Sequence, residues 1–211
     1  MKEIAVFGLG TLGKSLAISY SNMGGKVIAI DKSQEKVDEI SDYVTFAIRA
    51  DLTEENVIKG LGVSNVDVAI VNFEASIIVT AVCKEIGIPY IIAKARDKLQ
   101  GNILTKVGAD EIVYPESETG IRMAKNLAHG EKFMDIAEIS DTFSIIEAKV
   151  AESWVGKNLM ELSLRKKYKF NIIAIKKEGK YKINPDVNIP FNHGMHLVVL
   201  GETEKMAKVF K

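Results

Sequence analysis

The stretch KEIAVFGLGTLG (residues 2–13), followed by KVIAID (residues 26–31), decides the fold of the N-terminal half. The apolar run from Ile4 to Phe7 leads into three glycines, and a pattern with helical spacing follows until a glycine pair at positions 24 and 25. This order is typical of a strand, a tight turn and a helix. Val27 to Ile30 then reads as a second buried strand.

Each glycine of the turn has a distinct predicted role. Gly8 permits the tight turn, Gly10 lets the backbone approach a pyrophosphate, and Gly13 lets the helix pack closely on the strand. The helix N-terminus then offers unpaired N–H groups and the positive end of its dipole to phosphates. Asp31 follows Gly13 by 18 residues, close to the spacing of a carboxylate that accepts both ribose hydroxyls. These features together predict a dinucleotide-binding turn; the alternative is a tight turn without a ligand.

The composition is that of an ordinary globular protein, with 47% hydrophobic and 27% charged residues among 211. Basic and acidic residues number 28 each, so no overall positive charge is available to hold nucleic acid, and we expect no such partner. The single cysteine, Cys83, lies in an apolar helical pattern, which favours a packing role and a reducing compartment. We expect no signal peptide, and no apolar stretch approaches the roughly 18 residues that a membrane helix needs.

Six predicted strands alternate with five predicted helices in the first half of the chain. The strands are Ile4–Phe7, Val27–Ile30, Tyr43–Ile48, Val66–Val71, Tyr90–Ala93 and Glu111–Tyr114. The helices follow the glycine turn, the cap residues Ser33 and Thr53, Ala75 and Asp97. Short strands separated by helices predict parallel βαβ units. The predicted fold class is therefore α/β, a doubly wound parallel Rossmann sheet with ligands outside the carboxyl ends of its strands.

The pattern changes after Pro115. Residues 1–130 are predicted to form the Rossmann nucleotide-binding domain, including a crossover helix at 116–129, and residues 135–211 a small α+β domain. The strands of this second domain are predicted at 136–139, 143–150, 171–176, 180–184 and 196–200, with helices near 159–164 and 202–210. A domain of roughly 75 residues is near the lower limit for an independent core, so we expect it to dimerise.

These residues resemble the RCK or TrkA domains, the cytosolic regulatory subunits of potassium uptake systems and channels that include the KtrA-type proteins. The resemblance covers essentially the whole chain. In the first half it rests on the three glycines, Asp31, Ala50-Asp51-Leu52-Thr53, Ala95-Arg96 and Pro115-Glu116. In the second half it rests on Gly156–Leu159, Leu162–Arg165, Asn171–Ile175, Asn184-Pro185 and Leu197–Gly201. It implies an RCK N-domain followed by an RCK C-domain.

The resemblance and the chemistry of the turn together assign a set of cofactor-binding residues. Asp31 would hold the ribose, and its carboxylate disfavours a 2′-phosphate, so NAD(H) or an adenine nucleotide, ADP or ATP, is preferred to NADP. Thr11 stands where some triphosphate-binding relatives carry an arginine, which weakens the case for ATP. The set comprises Gly8, Gly10, Thr11, Leu12, Gly13, Asp31, Lys32, Asp51, Leu52, Asn72, Arg96 and Glu116.

Four of these assignments rest on position, and three have a plain structural alternative. Asp51 is expected to accept from the adenine amino group, or else to belong to the helix start at Thr53. Arg96 is expected to pair with phosphate, or else to be a solvated surface arginine. Glu116 resembles the acid that faces the phosphates, often through a bound Mg or Na ion, or else is a first-turn helix acid. Asn72 is placed near the ribose or phosphate by its position after the fourth strand.

The second domain resembles relatives that bind the cyclic dinucleotide c-di-AMP between two C-domains. Arg165 and Asn171 have the spacing of those relatives, and a two-fold ligand suits a two-fold interface. Pro190 is assigned to the same site, with apolar walls expected from Leu159, Met160 and Ile172. Phe170 replaces a histidine of some relatives. The alternative is that Arg165 belongs to a solvated basic run and Asn171 only starts a strand.

The chain contains little that indicates catalysis. Its three histidines, His129, His193 and His196, all lie outside the predicted Rossmann fold, and no nucleophile elbow, triphosphate P-loop or paired metal spacing is present. The predicted function is therefore a nucleotide-binding regulator, not an enzyme; the alternative is a small NAD-dependent oxidoreductase.

The resemblance implies a homodimer that assembles into a tetramer or octameric ring. It also implies a KtrB/TrkH-like potassium-translocating membrane partner and a peripheral location on the cytoplasmic face.

Overall fold

The computed structural model describes residues 1–73, 76–129, 133–140 and 142–210. It divides into two compact units, Met1–Glu118 and Thr119–Lys211, each with its own sheet. The predicted domain limits meet near residue 130, which lies outside the described residues, so those limits stay a prediction.

The first unit is a sheet of short strands alternating with helices, as the sequence predicts. Its strands are β1 (Glu3–Phe7), β2 (Lys26–Asp31), β3 (Phe46–Arg49), β4 (Val68–Val71), β5 (Tyr90–Lys94) and β6 (Glu111–Val113). Its helices are α1 (Thr11–Asn22), α2 (Gln34–Ile40), α3 (Glu55–Gly60), α4 (Ser76–Glu85) and α5 (Lys98–Lys106), while α6 (Pro115–His129) begins in this unit and ends in the second.

The strand order of this sheet is β3-β2-β1-β4-β5-β6, and every pairing is parallel. This is the doubly wound Rossmann order, with the reversal between β1 and β4. The predicted fold class is confirmed for this unit.

Alternation along the strands explains why helices cover both faces of the sheet. Ile4 and Val6 of β1 pack with residues of α1 and α2, whereas Ala5 and Phe7 pack with residues of α3, α4 and α5. β1 and β4 are nearly or fully buried, as expected for central strands of a parallel sheet. The carboxyl ends of β1, β2 and β4 therefore meet at one edge, where Asp31, Asn72 and the glycine turn lie together.

Two local predictions in this unit are wrong. The third strand begins at Phe46 and not at Tyr43, because Ser41–Tyr43 forms a 3-10 turn that continues from α2. Thr53 does not cap α3, which begins at Glu55; its N–H and hydroxyl instead both donate to Asp51 Oδ1, at 3.0 and 2.8 Å. A side chain that closes its own turn in this way competes with helix capping.

The second unit is a five-stranded antiparallel sheet, and its helices pack with the apolar residues of the sheet in one core. Its strands are β7 (Phe133–Glu138), β8 (Phe143–Lys149), β9 (Asn171–Lys177), β10 (Lys180–Ile183) and β11 (His196–Glu202), in the order β10-β9-β11-β8-β7. Its helices are α7 (Leu159–Leu162), α8 (Leu164–Tyr168) and α9 (Thr203–Val209). The predicted single helix near 159–164 is divided at Ser163, whose φ is 46°.

A compact aromatic core holds this unit together. Trp154 contacts Phe210 edge to face with ring centroids 5.3 Å apart, and Phe170 stacks on Tyr168 at 5.5 Å. Leu197 and Val199 of the central strand β11 are fully buried beneath these rings. The packing confirms the predicted small α+β fold.

Candidate functional site

The glycine turn between β1 and α1 has a geometry that only glycine allows at two positions. Gly8 has φ +96°, and a Cβ there would lie 2.6 Å from the backbone oxygen of Asn72. A Cβ on Gly13 would lie 2.1 Å from the backbone oxygen of Gly8, so α1 packs directly against the turn. At Gly10, by contrast, the nearest atom to an added Cβ would be Asn72 Nδ2 at 3.7 Å. The protein therefore leaves space at Gly10, where the sequence predicts that the backbone approaches a pyrophosphate.

Helix α1 presents a free N-terminus at this turn. Gly10 occupies the N-cap position without a side-chain cap bond, and no acidic residue lies in the first turn. The N–H groups of the first turn have no acceptor within the helix, and they carry the positive end of its dipole. Thr11 is the exposed first residue of α1 and Leu12 is half-buried; neither lines the two cavities described below.

Asp31 is held rigidly at the end of β2. Its side chain is buried, with Oδ2 accepting from the Leu9 N–H at 2.7 Å and Oδ1 accepting from the Ser33 N–H at 2.9 Å. Lys36 Nζ lies 3.5 Å from Oδ2. Burial acts to raise the pKa of Asp31, but the two backbone bonds and Lys36 outweigh it, so the pKa lies below its ordinary value. Oδ1 accepts one bond and keeps a lone pair for a ribose hydroxyl, whereas Oδ2 can accept a second hydroxyl by exchanging its 3.5 Å contact with Lys36.

The predicted position of Ser33 at the start of a helix that ends at Ile40 is correct, but its bonding is not that of a side-chain cap. It occupies the N-cap position of α2 but makes no side-chain cap bond. Its backbone N–H instead donates to Asp31 Oδ1, while the Leu9 N–H of the glycine turn donates to Oδ2, so the two bonds together fix the carboxylate beside the turn.

A cavity of about 340 Å³ opens beside Asp31. Asp51 lies on its wall, where its Oδ1 bonds to Thr53 lower the pKa of this exposed carboxyl. Leu52 contributes to the wall but is also buried in the core of the unit. The lining residues are Gly8, Asp31, Lys32, Lys36, Asp51, Leu52, Thr53 and Phe73. The cavity thus brings together Gly8, Asp31, Lys32, Asp51 and Leu52 of the predicted set and adds Lys36, Thr53 and Phe73.

Asn72 supports the turn from the neighbouring strand. It is buried at the end of β4, and its Nδ2 donates to the backbone oxygen of Gly8 at 3.4 Å. This contact braces the glycine turn, and the proximity of Asn72 to a ribose or phosphate stays a prediction.

A second cavity of about 600 Å³ lies further along the same edge of the sheet, and Phe73 lines both cavities. Its other lining residues are Lys94, Arg96, Gln100 and Glu116. Arg96 is mostly exposed and lies 3.5 Å from Asp97, while its backbone N–H donates to Gln100 Oε1 at 2.9 Å. The structure therefore brings the predicted Arg96 and Glu116 to one cavity.

Glu116 is paired with a residue that the sequence analysis missed. Lys94 Nζ donates to Glu116 Oε1, and this bond holds the pKa of Glu116 below its ordinary value. Lys94 is the last residue of β5, and β5 pairs with β6, which precedes Glu116. Its position at the carboxyl end of a parallel strand is a signal that would have identified it.

A third cavity, of about 360 Å³, lies in the second unit around Arg165 and Asn171. The Arg165 guanidinium donates to Asn171 Oδ1 from Nε at 3.1 Å and from Nη2 at 2.7 Å. The lining residues are Leu159, Leu164, Arg165, Phe170, Asn171, Ile172, Asn184, Pro185 and Val187. The predicted apolar walls Leu159 and Ile172 are present, whereas Met160 and Pro190 are not among these residues.

Phe170 is almost fully buried between Tyr168 and Phe210. Its ring therefore belongs to the core of the unit.

The sheet of the second unit carries a polar network that the sequence did not indicate. Glu147 is buried on β8, and its Oε1 contacts Lys176 Nζ at 2.8 Å and His196 Nδ1 at 2.9 Å. Tyr181 donates to Oε2 at 2.6 Å. Burial raises the pKa of Glu147, but the bonds from its three partners outweigh burial and lower it. Because the four residues come from four strands, the network ties β8, β11, β9 and β10 together.

The remaining candidates for chemistry form no reactive cluster in the part of the chain that the structure describes. His193 lies 3.6 Å from Glu152 at the surface of the second unit, and the buried Cys83 has its pKa raised by desolvation to about 12. No group of three or more metal-ligating side chains occurs among the described residues. None of the helices described is long and apolar enough to cross a membrane.

Comparison with known proteins finds a matching domain family for each half of the chain. The TrkA-N domain model matches residues 4–115 and the TrkA-C domain model matches residues 145–211. Ktr system potassium uptake protein A of Bacillus subtilis (strain 168) is 34% identical over 211 residues, covering 98% of this chain and 95% of that protein. Protein C of the same system is also 34% identical, over 214 residues, covering 100% of this chain and 96% of that protein.

The fold is also found among solved structures. The crystal structure of the GsuK RCK domain superposes with a TM-score of 0.64 over 99% of this chain, at 16% sequence identity. This chain spans 47% of that longer chain. At this identity the likeness concerns the fold alone.

Proposed function

This chain belongs to the TrkA-N and TrkA-C family that includes the Ktr system potassium uptake proteins A and C, and we propose that it is a nucleotide-binding regulatory subunit of potassium uptake. It binds NAD(H), ADP or ATP at the glycine turn and gates potassium flux through a separate membrane protein. The observation that carries the proposal is Asp31, an ionised carboxylate held at the mouth of a cavity beside the free N-terminus of α1.

The geometry supports an adenine nucleotide without a 2′-phosphate. Both oxygens of Asp31 point into hydrogen bonds with the turn and α2, so the carboxylate cannot swing away from an approaching phosphate. A 2′-phosphate would meet this negative charge, whereas two ribose hydroxyls would donate to it. Asp51 on the facing wall keeps its Oδ2 available for an adenine amino group, since both bonds from Thr53 go to Oδ1.

Calorimetric titration tests this proposal. We expect NAD, ADP or ATP to bind the full-length protein and NADP to bind at least about tenfold more weakly, which corresponds to one lost charge-assisted hydrogen bond. Equal binding of NAD and NADP would contradict the assignment of Asp31 to the ribose.

A magnesium or sodium ion on the nucleotide phosphates is part of the family expectation. Glu116 is the carboxylate among the described lining residues of the second cavity, and Mg²⁺ commonly takes one or two carboxylates together with phosphates. Here, however, Glu116 already has a cationic partner in Lys94. Lys94 therefore supplies one positively charged partner to this carboxylate from within the protein.

Exposed apolar surface supports assembly into a homo-oligomer. Ile121, Met123 and Leu127 on α6 are 55%, 58% and 81% exposed, and Leu99 on α5 is 72% exposed. Such helix faces are normally covered in a folded assembly. We propose a homodimer that builds a tetramer or octameric ring on a KtrB/TrkH-like partner at the cytoplasmic face of the membrane. Light scattering at micromolar concentration should give a dimer or larger species, and a monomer would contradict the model.

In the proposed gating mechanism, the bound ligand changes the shape of the oligomer. In this proposal the crossover helix α6 is the hinge between paired N-domains, and its angle depends on the ligand at the glycine turn. A ligand shifts the balance of two shapes only by binding one of them more tightly.

The competing enzymatic hypothesis has a direct test. Hydride transfer to a carbonyl needs a proton donor beside the nicotinamide, and the cavities of the first unit contain lysines and carboxylates but no histidine among their described lining residues. We expect no steady NADH oxidation with common carbonyl acceptors. Turnover that a single Asp31→Ala change abolishes would establish an oxidoreductase instead.

A second ligand site is supported in the C-terminal unit. The Arg165–Asn171 pair lines a cavity that also has the apolar side chains Leu159 and Ile172 in its wall, which suits one phosphate and one base of c-di-AMP in each of two copies. Labelled c-di-AMP should bind the wild type at micromolar concentration and Arg165→Ala much more weakly, with Lys169→Ala as the matched control. Equal binding to wild type and Arg165→Ala would remove this site.

A further inference from the structure

Charge is distributed unevenly along the chain, although its total is zero. Residues 145–211 contain 13 lysines and arginines against seven aspartates and glutamates, whereas residues 1–118 contain 12 against 17. The excess of positive charge is concentrated in residues 156–169, where five basic residues accompany one acidic residue. A positive region of this kind attracts anions even in a protein without net charge.

The fold brings three of these lysines to one cavity of about 720 Å³ in the second unit. Ser163 separates α7 from α8, and its carbonyl oxygen accepts from the N–H groups of Lys166 and Lys167, each at 2.9 Å. These bonds form the first turn of α8 and hold both lysines beside α7. The lining residues are Gly156, Lys157, Glu161, Leu162, Ser163, Lys166 and Lys167. We refer to Lys157, Lys166 and Lys167 as the lysine surface.

The lysine surface keeps its positive charge. Lys157 Nζ donates to the backbone oxygen of Ser153 at 3.0 Å, and Lys167 Nζ lies 5.1 Å from the centroid of the Tyr168 ring. Neither a carbonyl group nor an aromatic ring carries a full negative charge, so both contacts leave the ammonium charge uncompensated. The ion pairs that the structure describes for residues 142–210 involve other cations, namely Lys176, His193, His196 and Lys205.

One carboxylate opposes the three lysines at this cavity. Glu161 Oε2 accepts from the Asn158 N–H at 3.0 Å, and Asn158 Oδ1 accepts from the Glu161 N–H at 2.9 Å. This capping box orients the Glu161 carboxylate towards the start of α7. Three lysines and one carboxylate leave two net positive charges among the lining residues.

The exposure of the lysines indicates the kind of anion that they suit. All three are exposed, whereas a small ligand is normally held in a concave site that buries most of its surface. Exposed lysines on long flexible stems instead suit an extended anionic surface, such as the headgroups of a bilayer.

Nucleic acid is the other extended anion, and the structure favours it less. Binding of single strands combines a positive groove with aromatic rings on which the bases stack. The Tyr168 ring is already stacked on Phe170 at 5.5 Å, and the Arg165 guanidinium donates to Asn171. Among its described lining residues the cavity therefore offers positive charge without a ring for stacking.

We propose that the lysine surface binds the anionic headgroups of a lipid bilayer directly. The proposed function needs only a membrane protein to hold this chain at the membrane, so the inference adds a separate attachment to lipid. A lysine near an anionic membrane contributes about a factor of five to binding, so three lysines contribute about a hundredfold. In an oligomer each copy repeats the surface, and linked copies bind more tightly than one copy alone.

Co-sedimentation of the full-length protein with lipid vesicles tests this inference. The probe is a vesicle of equal parts phosphatidylglycerol and phosphatidylcholine, and vesicles of phosphatidylcholine alone are the reference. At about 0.1 M salt we expect binding to the anionic vesicles and none to the reference vesicles. At about 1 M salt, where the Debye length falls to roughly 3 Å, the protein should be released.

A triple variant tests the lysine surface itself. The combination of Lys157→Gln, Lys166→Gln and Lys167→Gln should weaken binding to the anionic vesicles about a hundredfold. Circular dichroism shows whether this variant is folded.

The matched control removes the same charge elsewhere in the same unit. It combines Lys177→Gln, Lys180→Gln and Lys182→Gln, three exposed lysines of β9 and β10 that do not line the cavity. This control should change vesicle binding by less than about fivefold.

Three results would overturn the inference. The first is wild-type protein that does not sediment with the anionic vesicles. The second is an equal loss of binding in both triple variants, which would assign the attraction to the net charge of the unit. The third is tighter binding of a labelled single-stranded oligonucleotide than of vesicles, lost in the variant of the lysine surface, which would identify a nucleic-acid surface.

Calorimetric titration with NAD and ADP keeps this inference separate from the proposed function. A protein that binds anionic vesicles but neither nucleotide would contradict the nucleotide proposal and leave the lipid attachment standing. A protein that binds nucleotide but no vesicle would do the reverse.

Discussion

Two carboxylates stand at opposite ends of the same sheet edge, and their surroundings differ. Asp31 is 7% exposed and accepts from two backbone N–H groups, with Lys36 beside it. The Glu116 side chain is 70% exposed, with Lys94 as its side-chain partner. Both have pKa values below the ordinary range, but for different reasons: backbone bonds dominate at Asp31, and one lysine dominates at Glu116.

This difference suggests different roles for the two carboxylates in nucleotide binding. A carboxylate that is oriented before the ligand arrives loses little conformational freedom on binding, so it discriminates well between ribose and ribose phosphate. A carboxylate held by one exposed ion pair can change partners when the ligand arrives. We therefore expect the Asp31 end to determine which nucleotide binds and the Glu116 end to report that it has bound.

The largest expected effect on nucleotide affinity is at Asp31, the carboxylate that the backbone holds rigidly. Asp31→Ala removes two charge-assisted hydrogen bonds to the ribose, worth about 1.5–3 kcal/mol each, so nucleotide affinity should fall at least about a hundredfold. The measurement is calorimetric titration with NAD and ADP. The same change leaves the Leu9 N–H without its acceptor, so a lower unfolding temperature is also expected.

A control variant separates these two effects. Asp31→Asn keeps an acceptor oxygen of the same shape and removes the charge. Its single oxygen can accept from only one of the Leu9 and Ser33 N–H groups while the new NH2 faces the other, so it should lose part of the thermal stability, less than Asp31→Ala loses, and still lose affinity. If Asp31→Asn bound NAD as tightly as the wild type, a charged ribose contact would be excluded.

The difference between the two ends also explains what the sequence could predict. The glycine turn, Asp31 and the strand order follow from short-range patterns, since Gly8 to Gly13 and the apolar runs are each contiguous. The Lys94–Glu116 pair joins residues 22 positions apart and depends on β5 pairing with β6, which spacing alone does not show. The Glu147 network depends on four strands in the same way.

The failed cap at Thr53 has a local cause. The motif has the composition of a helix start, but Asp51 captures both the hydroxyl and the N–H of Thr53. Asp51 and Thr53 can both cap a helix and lie two positions apart. The sequence alone therefore does not show which backbone groups each side chain binds.

The second prediction contrasts Gly10 and Gly13, two glycines of the turn beside Asp31. Gly10→Ala should weaken nucleotide binding about tenfold with little change in stability, because the new Cβ meets no protein atom closer than 3.7 Å and occupies the ligand's approach. Gly13→Ala should instead destabilise the fold by about 1–3 kcal/mol, because its Cβ would lie 2.1 Å from the backbone oxygen of Gly8. Urea unfolding and calorimetric titration of both variants check this. A stable Gly13→Ala protein with normal binding would contradict the described packing.

The third prediction compares the two carboxylates by pH. The pKa of Asp31 is lowered on folding, so its ionised form stabilises the protein above the unfolded pKa of about 3.9, and this contribution is lost as pH falls through the lower folded value. The stability difference between wild type and Asp31→Asn should therefore shrink as pH falls from 6 toward 3. Glu116→Gln should show a smaller pH-dependent difference, since its ion pair is exposed. Urea unfolding at each pH measures both, and a larger effect at Glu116 would reverse the proposed contrast.

The smallest effect is expected at Asp51, which shares a cavity with Asp31 but resembles Glu116 in exposure. Its Oδ1 is used by Thr53, so only the remaining oxygen is available to an adenine amino group. Asp51→Ala should weaken ADP binding about three- to tenfold, the range expected for one hydrogen bond at a solvated position. Asp51→Asn keeps the oxygen that Thr53 uses and places an NH2 donor where Oδ2 stood, so it should keep the turn and still lose the adenine contact. Inosine diphosphate carries no amino group on its base, so its affinity should be the same for wild type and Asp51→Ala. If Asp51→Ala weakened both nucleotides equally, its role would be to close the turn with Thr53, and the base would be recognised elsewhere in the cavity.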